Sequence, residues 1–530
     1  MAVVMVTLDQ IKGMITDGLA GNAAKLQEAE SLLFQMLNKH PNNWPALFLL
    51  SGIYLNADRH GVGISLLHRV NELQPDVPEV YNNLGTAYRK EHMHEPAEKW
   101  LLKAAALKED ADVYNNLGTL HINEGSPDKA VEYLEKAIKM EPQNKHAHWN
   151  IGLALLEMED WKRGFEEYSW GLSTKDRLTK DYGAARWWDG KPHADQTLVI
   201  YGEQGIGDEL MFGTAIMEAV KQFEGRVVFD CHPRLHGMFQ RAFPDIKCYP
   251  TRKLLHKKPE WLDDEKPDFK VPVGNLFRFF RKEEVDFPKL GYITADQARV
   301  DDYKDWLTSL GDAPVVGISW VGGHKKTRKD VRAVNIDKFL PIFKANPDVT
   351  WVSMQYTDHG DDDTKRLFEE HGIKVHHFSE VVESSRWERW KLQKGDEVLA
   401  VFDTKEEGKS YHKKQFNKDE LELVHFPGCG YNYDETAAFL QAIDETGGTI
   451  VTVNTSLVHL CGTMGIDCMT LTPNKPAWRY GMDRRDMVMY GSITQYRQDA
   501  EGDWSPAIAE VAKDLGEYLN EHECSQISHG

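Results

Sequence analysis

Between Ala46 and Leu172 the apolar positions fall into paired helical stripes, and the pair recurs as a block. "VYNNLGTAYRKEHMHEPAEKWLLKAAAL" begins at Val80, "VYNNLGTLHINEGSPDKAVEYLEKAIKMEP" at Val113 and "AHWNIGLALLEMEDWKRGFEEYSWGL" at Ala147. A weaker copy, "ALFLLSGIYLNADRHGVGISLLHRVNELQP", begins at Ala46. Gly52, Gly85, Gly118 and Gly152 set the period at 33 to 34 residues. In each block the aromatic residue, the leucine and the glycine share one face of a first helix. Small residues such as Ala97 and Ala130 admit a second helix, and Pro75 and Pro142 close their units. One such unit cannot bury its own apolar face, whereas stacked units can.

After Leu172 the pattern changes. Residues 173–196 read as an irregular linker rich in charge, glycine and proline. Beyond them, short apolar runs alternate with helical stripes. "TLVIYG", "RVVFDC" and "IKCYP" predict strands in a first half, 197–312. "PVVGISWVG", "VTWVSMQ", "GTIVTVN" and "DCMTLTP" predict strands in a second half, 313–530. This alternation predicts parallel sheets covered by helices, as two doubly wound α/β domains facing a cleft. Ligands of such sheets lie beyond the carboxyl ends of the strands. Residues 380–426 break the pattern with a charged insertion holding two strand-like pieces; its lysines and tryptophans either touch an acceptor or are simply solvated.

Composition narrows the class. The formal net charge of −20 argues against a general nucleic-acid-binding surface. The cysteines (Cys231, Cys248, Cys429, Cys461, Cys468, Cys524) form no C-x-x-C pair or metal-ligand spacing, which suits a reducing compartment. No run approaches the roughly 18 apolar residues of a membrane span. A cytoplasmic protein is expected.

Two stretches carry candidate chemistry. In "LVIYGEQGIGDELMF" a strand meets Gly202, Gly205 and Gly207, and Asp208 opens a helix. Leu210 stands where a dinucleotide fingerprint requires glycine, and no P-loop lysine follows. The glycines let a ligand approach the backbone, and Asp208 either points into the cleft or caps its helix. In "GTIVTVNTSLVHLCG", Asn454, Thr455 and Ser456 occupy a strand-to-helix turn suited to a phosphate, with His459 one turn further on. The loop "GGHKKTRKDVR" adds Lys325, Lys326, Arg328, Lys329 and Arg332. Asp361, Asp362 and Asp363 read as a solvated turn; no Asp-x-Asp pattern calls for a metal.

The front blocks resemble the tetratricopeptide repeat, with residues 1–172 as the array. Such a solenoid presents a groove to a protein partner or a surface for self-association. Asn82, Asn83, Asn115 and Asn116 either clamp a peptide backbone there or hydrogen-bond within and between repeats.

From about residue 185 to 515 the chain resembles the heptosyltransferase family of glycosyltransferases. The likeness is carried by "RWWDGKPHADQTLVIYGEQGIGDELMF", "VVGISWVGGHKKTRKDVRAVNI", "DETAAFL", "VTVNTSLVHLCGTMG", "AWRYG" and "YRQDAEGDW". A more distant likeness is to repeat-bearing protein O-GlcNAc transferases. The resemblance implies a GT-B pair of domains, with a glycan or protein acceptor on the first half and a nucleotide-diphosphate sugar on the second. It implies no further cofactor. It makes Asp208 the general base, with Glu203, Gln204, Gly205 and Gly207 forming the acceptor turn. Ser319, Lys325, Lys326, Arg328 and Arg332, with Asn454, Thr455, Ser456 and His459, would hold the diphosphate. The base and sugar would lie beside Gln355, Trp478 and Arg479. Asn454 stands where the family commonly has aspartate; an amide hydrogen-bonds hydroxyls but carries no charge. The reaction expected is inverting, metal-independent sugar transfer. The alternative is a non-catalytic interaction protein with a degenerate transferase half.

Overall fold

The computed structural model describes residues 6–252, 258–322, 329–355, 360–377, 388–394, 397–402, 409, 422–427 and 433–527. The chain divides into two compact units, Met1–Met158 and Glu159–Gly530.

The first unit is a helical solenoid. Successive antiparallel pairs are Leu8–Leu19 with Ala23–Lys39, Trp44–Asn56 with His60–Leu73, Pro78–Lys90 with His94–Leu107, and Ala111–Glu124 with Pro127–Met140, followed by Lys145–Glu157. Asparagine side chains start several of these helices. Asn43 Oδ1 accepts from the Ala46 N–H at 3.2 Å and Asn144 Oδ1 from the Ala147 N–H at 3.0 Å. The repeat glycines act through proximity: a β-carbon on Gly85 or Gly118 would collide with Leu101 or Leu134 of the paired helix. In the first copy Gly52 faces open space, and Gly63 on the second helix provides the close approach to Leu55 instead. Ala97, Leu101, Ala104, Leu117 and Leu120 are fully buried between repeats. Asn116 Nδ2 donates to Asn82 Oδ1 at 2.9 Å, and Asn150 Nδ2 donates to Asn115 Oδ1 at 2.8 Å. Of the two uses open to these asparagines, Asn82, Asn115 and Asn116 serve the one between repeats.

The second unit holds two parallel-type sheets. The first has five strands in the order Arg186–Trp187, Phe269–Pro272, Thr197–Tyr201, Arg226–Asp230, Lys247–Tyr249, all parallel. The second has seven, in the order Asp486–Met487, Tyr490–Arg497, Cys468–Thr472, Thr449–Val453, Val315–Ile318, Thr350–Ser353, Val375–His377, with only the first pair antiparallel. The inner strands Leu198–Tyr201, Val315–Ile318 and Thr449–Val453 are buried on both faces, as helix-covered parallel strands must be. Among its parallel strands, each sheet reverses its winding direction once. In the first, the reversal separates Thr197–Tyr201 from Phe269–Pro272; in the second, it separates Val315–Ile318 from Thr449–Val453. The turns that follow these strands are the ones the sequence singles out. Within the insertion, Glu388–Lys394, Glu397–Phe402 and Glu422–Pro427 form a three-stranded antiparallel sheet, one strand more than the pattern predicts.

One expected boundary differs from the structure. The break between units falls at Met158/Glu159, earlier than residue 172. The reason is aromatic packing. Helix Trp161–Tyr168 sets Trp161 against Phe287, with ring centroids 5.2 Å apart, and Phe165 against Phe277 at 5.3 Å and Trp478 at 5.7 Å. Residues 173–196 are largely irregular, as the pattern predicts, but they are docked on the first sheet. Arg186–Trp187 pairs with Phe269–Lys270, and Arg177, Lys180 and Tyr182 are buried against the first sheet. Of its charges, Arg177 and Lys180 form buried ion pairs with Glu203 and Asp230, while Asp176, Asp181, Asp189 and Lys191 are exposed.

No helix among the described residues is long and apolar enough to cross a membrane.

Candidate functional site at the two sheet reversals

The buried strand Thr197–Tyr201 ends at Gly202, and the chain turns into helix Ile206–Gly213. Gly205 is the N-cap residue. Asp208 sits at the third helical position, and its Oδ2 accepts from the Gly205 N–H at 3.2 Å. The other oxygen, Oδ1, is ion-paired with Arg479 Nη2 from the far half. Asp208 therefore fills both roles the sequence leaves open: it closes its own helix start, and it faces the other sheet.

The opposing turn is Asn454–Ser456. Thr455 caps helix Ser456–Met464, its Oγ1 accepting from the Leu457 N–H at 3.2 Å. The Ser456 hydroxyl bonds to the Tyr433 hydroxyl. Asn454 Oδ1 accepts from Thr470 and Thr472 at 2.9 and 3.1 Å, while its buried Nδ2 has no acceptor among the described residues. Arg332 Nη1 donates to the Asn454 carbonyl at 3.0 Å. His459 Nδ1 lies 3.1 Å from the Tyr490 hydroxyl. Burial, reinforced by Arg479 and Arg332, holds its imidazole well below the usual histidine range, so it is neutral at pH 7. The two turns touch. A β-carbon at Gly207 would lie 2.7 Å from His459 Cδ2 and 3.3 Å from Ser456 Cα, so only glycine fits there.

Other expected site residues are placed differently. Glu203 is 2% exposed and takes Arg177 Nη2 at 2.6 Å and Gln204 Nε2 at 3.0 Å. Gln204 Oε1 accepts from the Tyr168 hydroxyl at 2.7 Å. Both residues anchor the glycine turn to segment 168–177 and do not offer themselves to an acceptor. Gln355, expected beside a base, is 1% exposed. It accepts from Ser319 Oγ at 3.3 Å, Trp320 N at 3.2 Å and Val321 N at 3.0 Å, and donates to Val321 O at 2.8 Å. Gln355 and Ser319 thus shape the loop after Val315–Ile318. Trp478, open to stacking on a base or to plain packing, is 4% exposed and packed on Phe165, Tyr168 and Phe212. Arg479 reaches Asp208 instead of a sugar. Lys325, Lys326 and Arg328 lie outside the described residues. Of the acidic triplet, Asp363 accepts from Trp320 Nε1 at 2.9 Å. Among the described residues no group of His, Cys, Asp or Glu is arranged to hold a metal ion.

Beneath the glycine turn lies a buried ionic layer that sequence reading misses. Asp230, which stands near the position of a ribose-binding acid, is fully buried. It receives Lys180 Nζ, Tyr182 Oη at 2.6 Å, and Thr251 N and Oγ1 at 3.0 and 2.9 Å. Those donors make it structural. Glu209 accepts from the His232 N–H at 2.6 Å and pairs with Arg252 Nε at 2.9 Å. Burial outweighs these partners and pushes its carboxyl up from 4.5 to about 7. Between those values the native protein holds a proton that the unfolded chain releases. The stability Glu209 contributes is therefore full below pH 4.5 and lost as pH rises through about 7. Replacing Glu209 with Gln should flatten the unfolding midpoint across that window; a wild-type slope in E209Q contradicts the assignment.

Two surface cavities of about 320 and 240 Å³ lie in the first half, one along 220–247 and one beside the half-exposed Trp187; neither includes Asp208 or Asn454.

The first unit is an array of tetratricopeptide repeats: residues 78–110 and 111–144 each match the model of that repeat. Among characterised proteins, the chain is similar to Protein FlbA of Caulobacter vibrioides, 22% identical over 371 residues that make up 68% of this chain and 52% of the relative. The chain thus spans about half the length of the curated relative it matches. Among solved structures, MamA is 26% identical over 29% of this chain and 91% of its own, with a TM-score of 0.27. PilF of Pseudomonas aeruginosa is 18% identical over 33% of this chain and 80% of its own, with a TM-score of 0.28.

Proposed function

We propose that the chain is a glycosyltransferase, in which the second unit moves a sugar from a nucleotide-diphosphate donor to an acceptor hydroxyl and the repeat array engages a protein partner. One observation carries the reading. Asp208, at the winding reversal of the first sheet, faces the N-terminus of helix Ser456–Met464 at the reversal of the second, where Arg332 and Arg479 converge. A carboxylate opposite an anion-holding helix tip is what an inverting transfer needs. Asp208 takes the acceptor proton as the hydroxyl attacks the anomeric carbon. The leaving diphosphate gathers charge against the Ser456-end amides and the two guanidinium groups. His459, being neutral, donates or accepts a hydrogen bond without adding charge. The arrangement supports a GT-B reading of the two sheets.

A second reading, a repeat protein with a non-catalytic transferase half, is favoured by the uncharged Asn454 and by the ion pair that occupies Asp208. A thermal-shift screen with UDP-, GDP-, ADP-, CDP- and dTDP-sugars separates the two. A donor present at 100 times its Kd stabilises the folded state by about 2.7 kcal/mol and raises the midpoint. No shift across the panel favours the non-catalytic reading.

A further inference from the structure

The contact between Arg479 and Asp208 joins residues from the two sheet halves at the point where the two helix starts meet. Two guanidinium groups, Arg332 and Arg479, both act on His459, and the N-terminus of helix Ser456–Met464 adds its positive end. Among the described residues, Asp208 is the carboxylate paired with Arg479. Asn454 Nδ2 and Arg479 Nε are buried with no acceptor among the described residues. Asn454 is 2% exposed and fixed by two threonine hydroxyls, so this unused donor is built in. A buried donor without a partner carries a desolvation cost that an incoming anion relieves.

We infer that Asp208 is the internal counter-ion of Arg479 and that Arg479 exchanges it for a phosphate of the ligand. In the structure the carboxylate occupies the guanidinium. When a diphosphate reaches the helix tip, Arg479 turns to it, and Asp208 is released toward the acceptor side in the same step. The base is thereby freed only when a donor is in place, and water is less readily activated in its absence. Arg479 thus has two roles, binding the phosphate and holding or releasing Asp208. The inference rests on the proposed diphosphate site and adds the exchange to it.

The test is isothermal titration of the full chain with inorganic pyrophosphate at fixed ionic strength, with thermal unfolding of each variant as the folding control. Exchange makes Asp208 a competitor of the ligand, so Asp208→Asn is expected to bind pyrophosphate about tenfold more tightly than wild type. Arg479→Ala should bind about tenfold more weakly, and Arg479→Lys should fall between it and wild type. In the Arg479→Ala background, Asp208→Asn should give no further gain. Equal or weaker binding by Asp208→Asn overturns the exchange while leaving the anion site standing. The same gain in both backgrounds also overturns it, because Asp208 then repels the ligand directly. No binding by folded wild type and folded Asp208→Asn overturns the exchange together with the diphosphate site beneath it.

Discussion

Asp208→Asn is expected to lower the turnover of sugar transfer by about 10²–10⁴-fold, the usual contribution of a positioned general base. The substitution is chosen for its geometry. An asparagine keeps an oxygen for the Gly205 N–H, so the start of helix Ile206–Gly213 stays closed while the proton acceptor is removed. The measurement is release of nucleoside diphosphate in the presence of acceptor, using whichever donor the thermal-shift screen identifies. Kinetic constants should split in a characteristic way: kcat falls, and KM for the donor stays level or drops, because Arg479 is no longer held by a carboxylate. A variant with unchanged kcat removes Asp208 from the chemistry. One whose KM rises while kcat holds makes Asp208 a binding group only.

The largest effect on stability is expected at Asp230. Asp230→Ala removes the carboxylate that receives Lys180, Tyr182 and both donors of Thr251, and leaves the Lys180 ammonium buried without its counter-ion. Burial already pulls the Lys180 pKa down, and Asp230 opposes that pull. Breaking such a pair from one side costs about 3–5 kcal/mol. The unfolding transition of the second unit in urea reports the loss, while the repeat array, which has its own core, should unfold as before. Asp230→Ala with Lys180→Met should recover part of the deficit, because no lone charge then remains inside. A loss below about 1 kcal/mol for Asp230→Ala would place the pair in water-like surroundings and contradict its burial.

What the sequence makes legible follows the range of the interaction. The repeats are local: their helices, small-residue contacts and 33- to 34-residue period lie within neighbouring segments, and the pattern names Ala97, Ala130, Gly85 and Gly118 correctly. The strands that end at Gly202 and Asn454 are equally legible, because a buried parallel strand followed by a capped helix leaves a short, dense signature. Contacts across long separations leave none. Arg479 lies 271 residues from Asp208, and nothing in "AWRYG" distinguishes an arginine aimed at a sugar from one aimed at a carboxylate. The resemblance puts Trp478 and Gln355 beside a base, yet Trp478 packs on Phe165 and Gln355 bonds to the 319–321 loop, contacts that no local pattern announces. Segment 173–182 misleads for a related reason. Arg177, Lys180 and Tyr182 look solvated until their partners Glu203 and Asp230, 26 and 48 to 50 residues away, are folded beneath the glycine turn.

The most direct test of the two-sided site is a crystal structure of the full chain with the nucleoside diphosphate of its donor. The account predicts the pyrophosphate at the N-terminus of helix Ser456–Met464, within hydrogen-bond reach of Arg332 and Arg479, with Asp208 no longer paired to Arg479. A nucleotide bound elsewhere on the chain, or one bound at that helix with the Asp208–Arg479 ion pair intact, would contradict it.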